Sequence, residues 1–436
     1  IDGGSTETGS LPWKVLKRIF AVIRDVDDLK RRRTRVETEI TRIEGLAARG
    51  ESDEEELREL KVEKAALTRL LAGIDSRDTL QFLTDEGLLP NYAFPEQGVL
   101  LHSVIIRDDK KVAASAEQRV LTFEYERPGA SAITELAPES VFYAEGRKVT
   151  IEQVDVARDK PQKWRFCRSC SFSEPEAAAE PLAVCPRCAD PMWSDAGRVQ
   201  TMLRLSKVYA RTYDSSSRIG DDADDRDRKF YVRQALLDVP PGAVRQAWAV
   251  EDDSFPFAFE FLERVQFREV NFGQQTGEGE PIQIAGNDMR KPGFRICAEC
   301  GTLQRNRRRE DTWKNHALYC SKRKDESHAV QECVFLYREF DSEGIRLFLP
   351  ESRFGGSDES VHSFIAALQM GLEQRFRGSV DHLRIARDIR LAQGEESPRQ
   401  YLVIYDSVPG GTGYLKELMR DPAPLFEVLR LALVGL

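Results

Sequence analysis

Histidine is scarce in this sequence. Five imidazoles among 436 residues leave acid–base catalysis to carboxylates, and none of these stands out by its neighbours. No Walker A pattern occurs, so this chain by itself is not expected to hydrolyse ATP. GxSxG, HExxH and a Cys–His pair that reads as a nucleophile are missing as well. No apolar run approaches the roughly 20 residues that cross a bilayer, and the opening IDGGSTETGS is no signal peptide. A secreted or membrane protein is therefore disfavoured. Eight cysteines are few for a disulfide scaffold of this length. Most of them sit in or beside CxxC pairs, which in a reducing compartment reads as metal binding. A cytoplasmic zinc protein is the expectation.

What is present bounds the chain further. A hydrophobic share of 41% is enough to bury real cores, and the length suits several domains. Sixty-four Lys and Arg against 73 Asp and Glu give a net charge of −9, which argues against a generic nucleic-acid binder. The charge is segregated, however, and local patches matter more than the sum. The chain opens on Ile1 and not on methionine, as a fragment or a processed chain does.

The first eighty residues read as helical. Leu57, Leu60, Leu67, Leu71 and Ile74 recur at 3–4 spacing with Lys64 in one seam position, and Val36, Ile40 and Ile43 mark a comparable face upstream. Gly45 and Gly50 break the pattern, and Ser52 with Glu55 has the spacing of a capping box. Two helices folded back as an antiparallel pair is the expected form. Its stripe either packs only against the partner helix or grips another molecule. The basic run Lys30–Arg35 lies near many acids and reads as solvated.

From Leu80 the texture turns to strands, with RVLTFEY and SVFYAEGRKVTIEQV joined by turns at Pro128–Gly129 and Glu145–Gly146. The stretch RTYDSSSRIGDDADDRDRKFYV reads as a solvated linker. RQAWAV and PFAFEFLERVQF are expected strands, and QQTGEGEP is a Gly-rich turn. Then come the strand VFLYREF, a turn at Asp341–Gly344, the strand IRLFLP, the helix HSFIAALQMGLEQRF, the strand YLVIYD and a closing helix. The expected divisions are a hairpin over 1–79, a β-rich domain over 80–160 and a ribbon over 161–195. A strand-rich segment with its acidic linker follows over 196–290, and a last domain over 291–436. The fold class is α+β and multidomain: an N-terminal antiparallel helical hairpin, a small β-rich domain with a four-cysteine zinc ribbon, and a C-terminal α/β domain with a second zinc site.

The sharpest motif is Cys167-x2-Cys170 with Cys185-x2-Cys188. Two residues between thiolates let a tight turn aim both sulfurs at one ion, and two such knuckles close a tetrahedral structural zinc site with no position open for catalysis. Redox pairs or buried free thiols are the alternative. Trp164, Phe166 and Trp193 are the expected apolar cover. A second set joins Cys297-x2-Cys300 to His316-x3-Cys320, the last two a helical turn apart and so facing one way. His328 and Cys333 lie beyond. Cys333 opens an apolar strand where a buried free thiol is the bland explanation, but it is the substitute ligand if His316 is not one.

Between these ligands runs LQRNRRRE, and after Cys320 comes SKRK. From Lys291 to Lys324, ten Lys and Arg against three Asp and Glu leave +7. Arg305, Arg307, Arg308, Arg309, Lys322, Arg323 and Lys324 are candidates for phosphate neutralisation, with Trp313 for stacking on a base. A solvated or protein-facing basic surface is the competing account. In YDSVPGGTGYLKEL, Gly410, Gly411 and Gly413 allow a tight turn at a helix start, an arrangement that suits an anion.

These residues resemble a known family. GLLPNYAFPEQGVLL resembles the segment that follows the motor domains in large superfamily-2 DEAD/DEAH-box helicases. TELAPESVFYAEGRKV is similar to their next strand-rich run, with Leu136 where they carry Tyr. CAECG, YREFDSEGIRLFLP, HSFIAALQMGL and YDSVPGGTGYLKEL resemble the MrfA-like zinc-binding helicase C-terminal domain. The resemblance covers Leu80 onward and leaves out the hairpin. It implies part of a DNA-acting helicase or its companion subunit, of the kind found in bacterial DNA repair and in DISARM- and Druantia-type anti-phage systems. The expected partners are DNA and helicase motor domains, in the same polypeptide or in a partner subunit. No motor motif is present, so ATP-dependent activity is expected of the parent assembly.

Overall fold

The computed structural model describes residues 11–76, 83, 98–107, 115–176, 182–219, 229–240, 242–251, 257–274, 281–290, 293–304, 316–324, 330–348, 358–378, 380–391 and 399–435. The expected GxLPxYxFP segment and the acidic stretch from Asp221 to Arg228 lie outside these residues. Among the described residues no helix is long and apolar enough to cross a membrane.

Helix α1 (Leu11–Glu44) and helix α2 (Glu51–Asp75) form the expected antiparallel pair. The turn differs in detail. Gly50 occupies the N-cap of α2, and the Asp53 carboxylate accepts from the Gly50 N–H at 2.9 Å, so the cap lies two residues before the Ser52–Glu55 box. Glu51, Asp53 and Glu54 then sit in the first turn, where the helix dipole favours negative charge. Leu57, Leu60, Leu67 and Leu71 pack against Val36, Ile40 and Ile43.

The strands of the two main sheets that the site depends on are β1 (Val99–Ile106), β2 (Val120–Arg127), β3 (Gln153–Val154), β4 (Gln162–Phe166), β5 (Val199–Arg204), β6 (Lys207–Tyr213), β7 (Tyr231–Asp238), β8 (Ala258–Gln274), β9 (Phe294–Cys297), β10 (Val330–Phe348), β11 (Leu383–Arg390) and β12 (Arg399–Asp406); the strands Ser173–Pro175, beside β4, and Val244–Ala249, beside β8, complete the larger sheet. A four-stranded sheet runs β2-β1-β6-β3, with β1 and β6 parallel. A ten-stranded sheet is organised on β10, which pairs with β8, β5, β9 and β12 along its 19 residues. Pro128–Gly129 opens the short helix α3 (Gly129–Glu135) where the sequence predicts a turn. Glu145 and Gly146, both with positive φ, make the expected tight hairpin turn.

The expected turn at Asp341–Gly344 does not form; β10 continues through it. Partners on both sides decide this. Ser342 and Gly344 register with β8, and Gly344 also registers with Tyr405 of β12. The polar side chains find local partners: Asp341 takes Arg264 at 2.6 Å, and the Ser342 hydroxyl donates to the Val408 carbonyl at 3.1 Å. Turn-forming composition is overridden by pairing on two edges. Helices α4 (Asp358–Phe376), α5 (Tyr414–Leu418) and α6 (Pro422–Gly435) finish the chain. Leu368, Leu372, Leu425 and Val428 of α4 and α6 cover the Ile345, Leu347, Leu402 and Ile404 end of the large sheet.

The hairpin does not stand apart. Arg32, from the basic run expected in solvent, is buried. It donates to the Tyr319 hydroxyl at 2.8 Å, pairs with Asp28 at 2.5 Å and lies over the rings of Tyr319 and Tyr209. Asp25 of the same helix takes Lys207 at 2.7 Å and Arg158 at 3.3 Å. Asp155 completes the group. Burial opposes its charge, but Lys207, Arg32 and two backbone N–H groups prevail and hold its carboxyl below the usual range. A carboxylate with a depressed folded pKa contributes stability above its unfolded pKa and loses it as pH falls through the folded one. Asp155→Asn is therefore expected to cost about 3 kcal/mol at pH 7 and to flatten the acid limb of the stability curve below about pH 4, read by denaturant melts across pH. An unchanged acid limb would contradict this assignment.

Candidate metal centres

The first centre grows from the end of β4. Cys167 and Cys170 sit on one turn, with the Ser169 and Cys170 N–H groups aimed at the Cys167 sulfur at 3.4 and 3.5 Å. Cys185 and Cys188 sit on another, closed by the Ala189 N–H to the Cys185 carbonyl at 2.8 Å and by the positive φ of Ala189. All four thiols are buried and none is in a disulfide. The Cys167–Cys188 and Cys170–Cys185 sulfurs are 3.5 and 3.7 Å apart. A disulfide would bring them to about 2.05 Å, whereas four sulfurs at about 2.3 Å from one zinc ion lie roughly 3.8 Å from each other. The donor set fits a four-coordinate ion. The thiols press on one another's protonation: neighbouring sulfurs push Cys170 far up and pull Cys185 far down, a conflict that a central dication relieves.

Trp193 covers this centre, with Phe172 tilted against it at 5.2 Å. Trp164 and Phe166 do not share that role; they face the large sheet among Met202, Val270, Phe272 and Phe335. Strand alternation alone does not tell a ribbon's lid from a sheet's core.

The second centre joins Cys297, Cys300, His316 and Cys320, all buried. The Cys297 and Cys320 sulfurs are 3.9 Å apart, and His316 Nδ1 is 3.8 Å from Cys300 and 3.6 Å from Cys320. For an ion bound by sulfur and nitrogen the expected edge is roughly 3.6 Å. The Cys297 and Cys300 sulfurs raise His316 to about 9. The expected helical turn between His316 and Cys320 is an irregular turn, with the Cys320 N–H bonded to the Ala317 carbonyl; the ligands converge regardless. Cys333 is not among them. It lies in β10 with φ 53, its backbone against Gly293. His328 lies outside the described residues.

The remaining site residues divide. Arg305, Arg307, Arg308, Arg309 and Trp313 lie outside the described residues, but Gln304 and His316 on either side are both buried. Lys322, Arg323 and Lys324 fall in the 3-10 turn Ser321–Lys324. Arg323 pairs with Glu56 of α2 at 3.0 Å, its side chain 8% exposed, which ties this turn to the hairpin. The glycine loop turns several of its N–H groups on the chain itself. Asp406, fully buried, accepts from the N–H groups of Val408 at 2.9 Å and Thr412 at 2.6 Å. The Gly410 and Gly411 N–H groups bond to the carbonyls of Asp341 and Val408. Gly413 precedes a helix of only five residues. The chain supplies its own anion there, through an Asp that lies inside the motif itself.

No family model and no curated protein matches the chain. Among solved structures it is similar to a crystal structure of the DUF1998 helicase MrfA bound to DNA, with TM-score 0.30 and 11% identity over 80% of this chain. A structure of that helicase bound to DNA and AMPPNP gives TM-score 0.23 and 14% identity over 74% of this chain. The chain spans 33% and 26% of those two chains.

Purified protein is expected to hold about two tightly bound metal ions per chain, counted by elemental analysis. Cys185→Ser and Cys320→Ser should each lose one, and Cys333→Ser none. Loss of an ion from the Cys333 variant would overturn the ligand assignment.

Proposed function

We propose that this chain is a zinc-stabilised, nucleic-acid-binding accessory region of an ATP-dependent superfamily-2 DNA helicase serving anti-phage defence or DNA repair. One observation carries it: in an acidic chain the run Arg305–Arg309, four arginines in five residues, lies between ligands of one metal centre, Cys300 before it and His316 after it. Both ends of that stretch are thereby fixed. Zinc held by Cys167, Cys170, Cys185 and Cys188, and by Cys297, Cys300, His316 and Cys320, would have no open position, so its part is structural. Arg305, Arg307, Arg308 and Arg309 neutralise backbone phosphate, Lys322 and Lys324 flank them, and Trp313 stacks. The motifs shared with the helicase family support a motor in the same polypeptide or in a partner subunit; translocation belongs to that motor.

Replacing Arg307, Arg308 and Arg309 together with Ala is expected to weaken DNA binding at low salt and to reduce the salt slope by about 0.9 for each phosphate that is no longer neutralised. The melting temperature should not change. Unaltered affinity would remove the patch from the interface.

A second reading has its own observation. Leu16, Ile19, Phe20 and Ile23 follow one another at helical spacing on α1, and all are exposed, Phe20 at 59%. Such a stripe fits a scaffold role in which the hairpin docks a separate helicase or nuclease subunit. Deleting the hairpin would also strip the second metal centre of its cover, so point changes are the cleaner test. Phe20→Glu with Ile23→Glu should release a co-purifying subunit while the metal content stays at two ions. Retention of the subunit would exclude this reading.

A further inference from the structure

On the face of the large sheet beside α4 lies a cleft of about 600 Å³, within the size range of small-ligand sites. Its floor is a single carboxylate, Glu269, 4% exposed. Three guanidinium groups share it. Arg338 donates to one oxygen at 2.8 Å, and Arg233 and Arg384 donate to the other at 3.4 and 3.3 Å. Arg387 and His362 also line the cleft, and among the described lining residues Glu269 is the single acid. The neighbouring Glu339 is already engaged by Arg268 at 2.9 Å.

Donors outnumber acceptors in this arrangement. Three guanidiniums carry about fifteen N–H donors, and one carboxylate offers about four acceptor positions. The charge of the four groups is three positive against one negative, or +2. Arg233 and Arg384 are each about one-third exposed, so their outer donors reach the cleft, whereas Arg338 and Glu269 are buried beneath them. Tyr405, also in the lining, is held up to about 12, by burial first and then by Glu269, so its hydroxyl stays protonated.

We propose that this cleft binds a phosphate group in its dianionic form, a phosphomonoester or inorganic phosphate, clamped between Arg233 and Arg384. Guanidinium forks match phosphate oxygens in pairs. The excess of +2 fits the charge of about −1.5 to −2 that a phosphomonoester carries at pH 7. A carboxylate or a phosphodiester, each with one charge, would leave the cluster short. The cleft is built from β7, β8, β11, β12 and α4, so it does not depend on the basic stretch between the metal ligands.

The test is a titration of the full chain with inorganic phosphate, and with a short oligonucleotide carrying either a 5′-phosphate or a 5′-hydroxyl. Arg233→Gln with Arg384→Gln should lower phosphate affinity by at least about 10-fold while Arg338 keeps Glu269 paired. Should the double variant fail to fold, Arg384→Lys, which keeps the charge and loses the fork, should show a smaller loss. Tighter binding of the 5′-phosphorylated strand, abolished in the variant, supports the site and assigns it to nucleic-acid ends. Binding of inorganic phosphate alone, with the same loss in the variant, supports the site and assigns it to free phosphate. No saturable binding, or equal binding by wild type and variant, overturns it. The Arg307–Arg309 variant should bind phosphate normally, which separates failure here from failure of the interface between the metal ligands.

Discussion

The fold closes on four ligand atoms. Cys297, Cys300, His316 and Cys320 converge where the hairpin, the small sheet and the large sheet meet. Cys297 ends β9, which pairs with β10 of the large sheet. The Val154 N–H of β3 bonds to the Gly301 carbonyl at 3.1 Å, and Gln153 of that strand donates to the Cys300 carbonyl and to the Tyr319 hydroxyl, each at 2.5 Å. Leu29, Val36 and Leu57 of the hairpin form one buried cluster with Cys297, Cys300, Tyr319 and Cys320. Gly301 shows how tight the junction is: its φ is +71, and a Cβ there would strike the Val154 carbonyl oxygen. Loops this short bury too little apolar surface to hold such positions alone, so ligand geometry and folding are coupled at this point.

The ribbon is fastened differently. Arg187, between Cys185 and Cys188, reaches Asp238 at 2.7 Å and the buried Asp388 of β11 at 3.6 Å, and the Leu391 N–H returns to the Arg187 carbonyl at 2.8 Å. Asp388 also takes Arg390 at 2.6 Å. Charges buried this deeply are tolerable because they are paired, and they tie the ribbon to a strand more than two hundred residues later in sequence. The ribbon is thus tied to the large sheet through ion pairs, and the second centre through the pairing of β9 with β10.

Local chemistry is legible in the sequence and distant pairing is not. CxxC spacing locates both centres, because ligand geometry is written in two-residue turns. The leucine spacing locates the hairpin. Arg32 reads as solvated because its partners, Tyr319 and Tyr209, lie far along the chain; a run of basic residues looks solvated until the other side is known. The Asp341–Gly344 stretch carries turn-forming residues, yet pairing on both edges keeps it extended. The glycine loop suits an anion, and the anion is Asp406, seven residues before Gly413. The misses at Arg32 and at Asp341–Gly344 trace to partners that spacing cannot locate, whereas the α2 cap and the glycine loop find theirs within seven residues.

The most direct measurement of the central claim is hydrogen exchange along the hairpin when the second centre alone is emptied, comparing Cys320→Ser with the metal-loaded wild type. The account predicts that the buried seam of α1 and α2, from Leu29 to Leu71, loses protection together with the Cys297–Cys300 turn, while β11 and the ribbon keep theirs. A hairpin whose exchange stays slow after that centre has emptied would mean that the helices are held by their own seam alone.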